Sequence, residues 1–96
     1  MDKKIFTILY SKNFDKDFDE LSEDNKKTVL DKLLLLKIDP YYKSLRTKKI
    51  NGYYFSSINM DIRIVWQFNG TQNIFLLYVG HHDIINKIKK NKKHKK

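Results

Sequence analysis

The chain contains no cysteine among its 96 residues, which excludes disulfides, thiolate zinc sites and cysteine nucleophiles and favours a reducing compartment. Long hydrophobic runs are also missing. Runs such as Leu33 to Leu36 fall far short of the roughly 20 apolar residues of a membrane span. The opening Met1-Asp2-Lys3-Lys4 is followed by too short an apolar stretch for a secretory signal. A cytoplasmic protein with no membrane partner is therefore expected, and the length allows one domain with one modest core.

Acidic residues are absent from the last ten positions, where seven lysines fall between Lys87 and Lys96. Taking those seven from the net charge of +9 leaves residues 1–86 with about +2. A lysine-rich terminus binds phosphates unselectively through counterion release, or serves only to keep the chain soluble. A second basic cluster, Lys43, Arg46, Lys48 and Lys49, lies directly before a run of aromatic and β-branched residues and is the more informative one.

That run extends from Gly52 to Asp83. It is broken by Asn59-Met60-Asp61 and by Asn69-Gly70-Thr71-Gln72-Asn73, both turn signals, since Asn-Gly tolerates positive φ at both positions. A three-stranded antiparallel meander over 53–59, 62–68 and 73–79 is predicted. Alternation puts Ile62, Ile64, Trp66 and Phe68 on one face, to be covered by helices, and Arg63, Val65 and Gln67 on the other, open to solvent or a ligand. Arg63 in that open face is either an anion contact or a solvated charge.

Upstream, Ile5 to Tyr10 suits a first strand. Ser11 is placed to cap a helix carrying Phe14, Phe18 and Leu21 at helical spacing, and Ser22 to cap a second, with Glu23 and Asp24 in its first turn where the helix dipole favours acids. The second helix is expected to bury Val29, Leu30, Leu33, Leu34 and either Leu36 or Ile38, and to stop at Asp39-Pro40 because the residue before proline avoids the helical region. The expected fold is α+β. A small single domain has an N-terminal strand, an antiparallel helix hairpin and the meander packed on the helices, then a short last helix capped by Asp83 with Ile84, Ile85 and Ile88 inward. The domain spans residues 1–88 and a lysine tail covers 89–96.

The segment Tyr41 to Asn51 interleaves aromatics with cations and has no strong period. It is either a linker filling the gap between helix and sheet or a phosphate-tracking loop with stacking aromatics. His81 and His82 with Asp83 raise the question of a metal, but neighbours in an extended segment point to opposite faces and no third ligand stands at a recognisable spacing. No metal or other cofactor is expected.

The order strand, two helices, basic loop and meander resembles the RelE/ParE superfamily of type II toxin–antitoxin toxins, over about residues 5–86. The strings Ser44-Leu45-Arg46 with Lys48-Lys49-Ile50-Asn51-Gly52, Ser57-Ile58-Asn59-Met60-Asp61-Ile62-Arg63-Ile64-Val65-Trp66 and Val79-Gly80-His81-His82-Asp83 carry it, the last two resembling the YafQ- and RelE-like branch. The resemblance implies an mRNA interferase, an endoribonuclease that inhibits translation by cutting mRNA on the ribosome and is silenced by a cognate antitoxin. Such enzymes work without metal by attack of the ribose 2′-hydroxyl on the adjacent phosphate. It further implies that His82 acts as the catalytic acid or base, that Arg63 contacts the scissile phosphate, that Asp61 matches an acidic residue of the YafQ branch, and that Lys43, Arg46, Lys48 and Lys49 bind RNA. Asn86 departs from the pattern, standing where the family usually carries tyrosine or phenylalanine. A ParE-like inhibitor of DNA gyrase has the same fold without the histidine, and an inert antitoxin-binding relic is the third reading.

Overall fold

Two serines start the two helices. In the computed structural model, which describes residues 5–84, the Ser11 hydroxyl accepts the Phe14 N–H and opens helix α1 (Lys12–Asp19). Ser22 accepts the Asn25 N–H and opens α2 (Glu23–Ile38). Each supplies an acceptor for an N–H that the first helical turn leaves unpaired. Ser11 also donates to the Leu77 carbonyl at 2.9 Å, so the same side chain that begins the helix fastens it to the sheet. Asp39 and Pro40 end α2, as expected.

The sheet has five strands, β1 (Thr7–Tyr10), β2 (Lys48–Ile50), β3 (Tyr53–Ser57), β4 (Ile62–Asn69) and β5 (Asn73–His81), in the order β1-β5-β4-β3-β2. The predicted meander is β3, β4 and β5, antiparallel throughout. It gains β2, because Asn51 (φ 51°) and Gly52 (φ 85°) form a tight turn of positive-φ residues that pairs Lys48 to Ile50 with Phe55 to Tyr53. Part of the supposed linker is thus a strand. The first strand pairs with β5 in parallel, a placement that local sequence does not encode.

Trp66, Ile64 and Ile62 are fully buried, together with Phe14, Val29, Leu33, Leu36, Leu45, Ile74, Leu76 and Val79. The helix-facing side of β4 is therefore the predicted one. Two parts of the expected core are not. Leu30 and Leu34 are 52% and 60% exposed. Val29, Leu33 and Leu36 repeat at i, i+4 and i+7 and form the inward stripe, while Leu30 and Leu34 lie one position further round, where the described residues leave them about half exposed. Leu36 rather than Ile38 completes the stripe. The second correction is Val65, fully buried on the face expected to be open. Phe55 and Tyr78 flank it in register, and Ile50, Tyr53, Leu77 and Ile84 pack around the pair of Phe55 and Val65. Ile84 takes the inward position foreseen for it, whereas Ile85 and Ile88 lie outside the described residues.

Trp66 stacks on Tyr54 at 4.6 Å between ring centroids and donates its indole N–H to the Ser56 hydroxyl at 2.9 Å. Trp66→Ala is expected to destabilise the domain by about 3–5 kcal/mol, close to the whole stability of a small domain. Urea unfolding followed by far-ultraviolet circular dichroism measures this.

Candidate functional site

Alternation and register together decide which candidate side chains share a face. Ser57, Arg63 and Gly80 form one row across β3, β4 and β5, and Lys48, Phe55, Val65 and Tyr78 form the row beside it. All of these project on the side away from the helices, because Ile64 and Trp66 project toward them. Lys49 pairs with Tyr54, which pairs with Trp66. It belongs to the helix side, where its ammonium sits 5.5 Å from the centre of the Tyr54 ring. Of the two adjacent lysines, only Lys48 shares the face of Arg63.

A chain of hydroxyls running inward to the buried Ser56 sets this phase. The Thr47 hydroxyl donates to the Pro40 carbonyl at 2.6 Å and lies 2.8 Å from the Ser56 hydroxyl. Because the Thr47 proton is committed to Pro40, Ser56 donates to Thr47, and Ser56 in turn accepts from Trp66. Thr47 is thereby held toward the core, and the next residue along the strand, Lys48, turns outward. Arg46 (φ 47°) ends the turn at Lys43–Leu45, in which Leu45 is fully buried. Lys43, Arg46 and Lys48 are exposed.

The Asn59–Asp61 turn organises the other end of the face. The Asn59 side-chain carbonyl accepts the N–H groups of Asp61 and Ile62, both at 2.9 Å, while its amide donates to Asn25 of α2 at 3.2 Å. Arg63 folds back onto this turn. Its Nη1 donates to the Asn59 carbonyl at 2.8 Å, to that of Ile62 at 3.1 Å and to that of Met60 at 3.4 Å. The β4–β5 register ends with Ile62 opposite His81. One step further, the His82 N–H donates to the Asp61 carbonyl at 2.8 Å. Asp61 thus stands opposite His82, next to the Arg63–Gly80 pair, and such diagonal neighbours lie roughly 7–8 Å apart. Asp61, Arg63 and His82, the three residues singled out for chemistry, meet at one end of the sheet, with Asp61 and His82 exposed and Arg63 half-buried. Lys43 and Arg46 precede β2 at the other edge. Asn59 was not singled out, although an asparagine two residues before an aspartate in a turn is a sequence signal for a side-chain-capped turn.

Tyr41 and Tyr54 meet edge-on on the helix side. Desolvation first, although most of the Tyr41 ring is exposed, and then the hydrogen bond and charge of Tyr54 raise the Tyr41 hydroxyl above the ordinary phenol value. It therefore remains neutral at physiological pH and offers no phenolate base. A groove of about 410 Å³ between β1 and α2, lined by Ile8, Tyr10, Leu30 and Leu34 among others, holds none of the candidate residues. Among the described residues no three of His, Cys, Asp or Glu gather closely enough to hold a metal ion, and no helix is long and apolar enough to cross a membrane.

No known protein-family profile matches the chain, and no curated protein matches it in sequence. Solved structures do match. A chain of the RelBE toxin–antitoxin complex of Mycobacterium tuberculosis superposes with a TM-score of 0.71 at 14% identity, over 84% of this chain and 95% of that one. The archaeal RelE–RelB complex of Pyrococcus horikoshii gives 0.70 at 17% identity, over 80% and 94%. YafQ of Escherichia coli gives 0.61 at 18% identity, over 83% and 97%. The class of protein defined here is a small α+β domain with the fold of the toxins of toxin–antitoxin pairs. Within that class, the chain has the RelE/ParE fold, and RelE and YafQ are both among the proteins it is similar to.

The two lysines provide a test of the face assignment. Lys48→Ala is expected to weaken binding of a single-stranded RNA oligonucleotide and to lower its salt slope by about 1. Lys49→Ala is expected to change both less. Fluorescence anisotropy titrations at several salt concentrations measure the difference.

Proposed function

We propose that this protein is the toxin of a type II toxin–antitoxin pair and an endoribonuclease that cuts mRNA on the ribosome. The observation that carries this reading is the meeting of Asp61, Arg63 and His82 at one end of a sheet in the RelE/ParE fold. Cleavage starts when the ribose 2′-hydroxyl loses its proton and its oxygen attacks the adjacent phosphorus. The 5′ oxygen then leaves with a proton, producing a 2′,3′-cyclic phosphate and a 5′-hydroxyl. The reaction needs a base, an acid and a cation for the negative charge that builds on the phosphorane oxygens.

Each need has a residue. The imidazole of His82 suits proton transfer, since histidine is the side chain that changes charge near neutral pH. The Asp61 carboxylate, opposite it across the strand ends, is its complement: while ionised it can only accept a proton, so it takes that of the 2′-hydroxyl, and the His82 imidazolium gives one to the leaving oxygen. Arg63 clamps the phosphate, and Lys48 holds the strand further along the same face, with Lys43 and Arg46 extending the basic track. The cognate antitoxin silences the site with an acidic or amphipathic segment laid over Arg63 and the basic loop, charge complementarity bringing it there.

Translating ribosomes and, separately, gyrase with supercoiled DNA provide the test. New 5′-hydroxyl ends in the mRNA are expected. Trapped gyrase–DNA complexes without cleavage would instead place the protein with ParE-like inhibitors, and neither product would leave an inert antitoxin-binding domain. His82→Ala is expected to slow cleavage by about 10²-fold or more, and Arg63→Ala by a comparable factor. Removing residues 89–96 is expected mainly to weaken binding and its salt dependence. Full cleavage by a folded His82→Ala protein would remove the histidine from the mechanism.

A further inference from the structure

We infer that Asn59 is a positioning residue for this site: it builds the turn that holds Arg63 by one nitrogen and so presents the opposite edge of the guanidinium to a phosphodiester. Three side chains of interest hang on the same few backbone atoms. The Asn59 side-chain carbonyl takes the Asp61 and Ile62 N–H groups, which curls the chain so that the carbonyls of Asn59, Met60 and Ile62 all face Arg63 Nη1. In the same turn the Asp61 carbonyl takes the His82 N–H. Asn25 holds the other end of the Asn59 amide and anchors the turn to α2.

The consequence is geometric. A guanidinium has five N–H donors in a rigid plane, and here the two on Nη1 are shared among three carbonyls. Among the described residues, Nε and Nη2 make no hydrogen bond. Their two parallel N–H groups are the fork that matches two oxygens of a phosphate. Arg63 is thus held from behind, so little of its side-chain freedom remains to be lost when the anion arrives. A lysine here has a single ammonium, which cannot satisfy the carbonyls and also present a flat two-donor edge.

That the anion is the scissile phosphate rests on the nuclease reading above; the hold on Arg63 does not, and the experiment separates the two. The full-length protein is labelled with nitrogen-15 and the Arg63 side-chain resonances are recorded without RNA, beside mRNA cleavage kinetics on ribosomes. In the wild type, pinned Nη1 slows rotation of the guanidinium and keeps its Nη signals distinct. In Asn59→Ala these signals are expected to merge, with kcat lower by roughly 10–100-fold, the scale of a misplaced catalytic group, and KM little changed. Asn59→Asp keeps the acceptor that forms the turn. It is expected to restore the distinct signals and most of kcat, while its added charge raises KM for RNA. Asn25→Ala, which leaves the turn's own bonds intact, gives an intermediate effect and guards against a fold lost in Asn59→Ala. Arg63→Lys is expected to lose as much kcat as Arg63→Ala.

Distinct Arg63 signals and wild-type kcat in Asn59→Ala would overturn the inference, as would failure of Asn59→Asp to restore either. A wild type that cuts no RNA, but whose Arg63 signals merge in Asn59→Ala, removes the nuclease reading and leaves the positioning of Arg63 standing.

Discussion

Everything on either side of the sheet depends on Trp66 in the middle strand. Its ring fills the core against Tyr54 and Phe68, and its N–H begins the hydroxyl chain through Ser56 and Thr47 to the Pro40 carbonyl. The first role fixes which face of β4 looks toward the helices. The second carries that choice outward to β2, three residues long and at the edge of the sheet. A buried hydroxyl without a partner costs about 1–3 kcal/mol, so each link in this chain holds the next in phase. A strand shifted by one residue would exchange Thr47 and Lys48 between core and solvent.

The far end of β4 is governed by polar contacts instead. No buried side-chain nitrogen or oxygen among the described residues is left without a partner, and the Asn59–Asp61 turn shows how closely supply and demand are matched. A tight turn exposes carbonyls that the strands no longer pair. Arg63 satisfies those of Asn59 and Met60 and adds a bond to that of Ile62, which already accepts the Ile58 N–H, while the His82 N–H satisfies that of Asp61. The same bonds that make the turn stable bring the backbone positions of Asp61, Arg63 and His82 to one end of the sheet. Substitutions at Asn59 or Arg63 therefore affect the turn itself.

The face away from the helices is not uniformly polar. Phe55 and Val65 make a small second core, partly covered by Tyr53, Tyr78 and Ile84, between the row carrying Arg63 and the outer end of the sheet. Gly80 keeps the Arg63 row low, and a Cβ there would already touch Ile84 at 3.4 Å. Arg63 and Lys48 thus border an apolar floor rather than a uniformly hydrated surface.

The sequence by itself determined what short-range chemistry controls. Ser11 and Ser22 announced the helices, Asp39-Pro40 the stop, and Asn-Met-Asp and Asn-Gly the turns of the meander. Period-2 alternation put Trp66 inward and Arg63 outward. Only the tertiary structure decided the rest, because it turns on partners distant in the chain. Leu30 and Leu34 look like core until the helix is rotated against a sheet that covers only the Val29, Leu33 and Leu36 stripe. Val65 looks exposed until Phe55, Tyr78 and Ile84 close over it. Lys48 and Lys49 are indistinguishable as neighbours, and they separate only when β2 pairs with β3 and the Ser56 hydroxyl selects Thr47. The bonding of Arg63 likewise required the turn's carbonyls in space. Alternation decides that a side chain faces outward; only its neighbours decide which of its donors are left for a ligand.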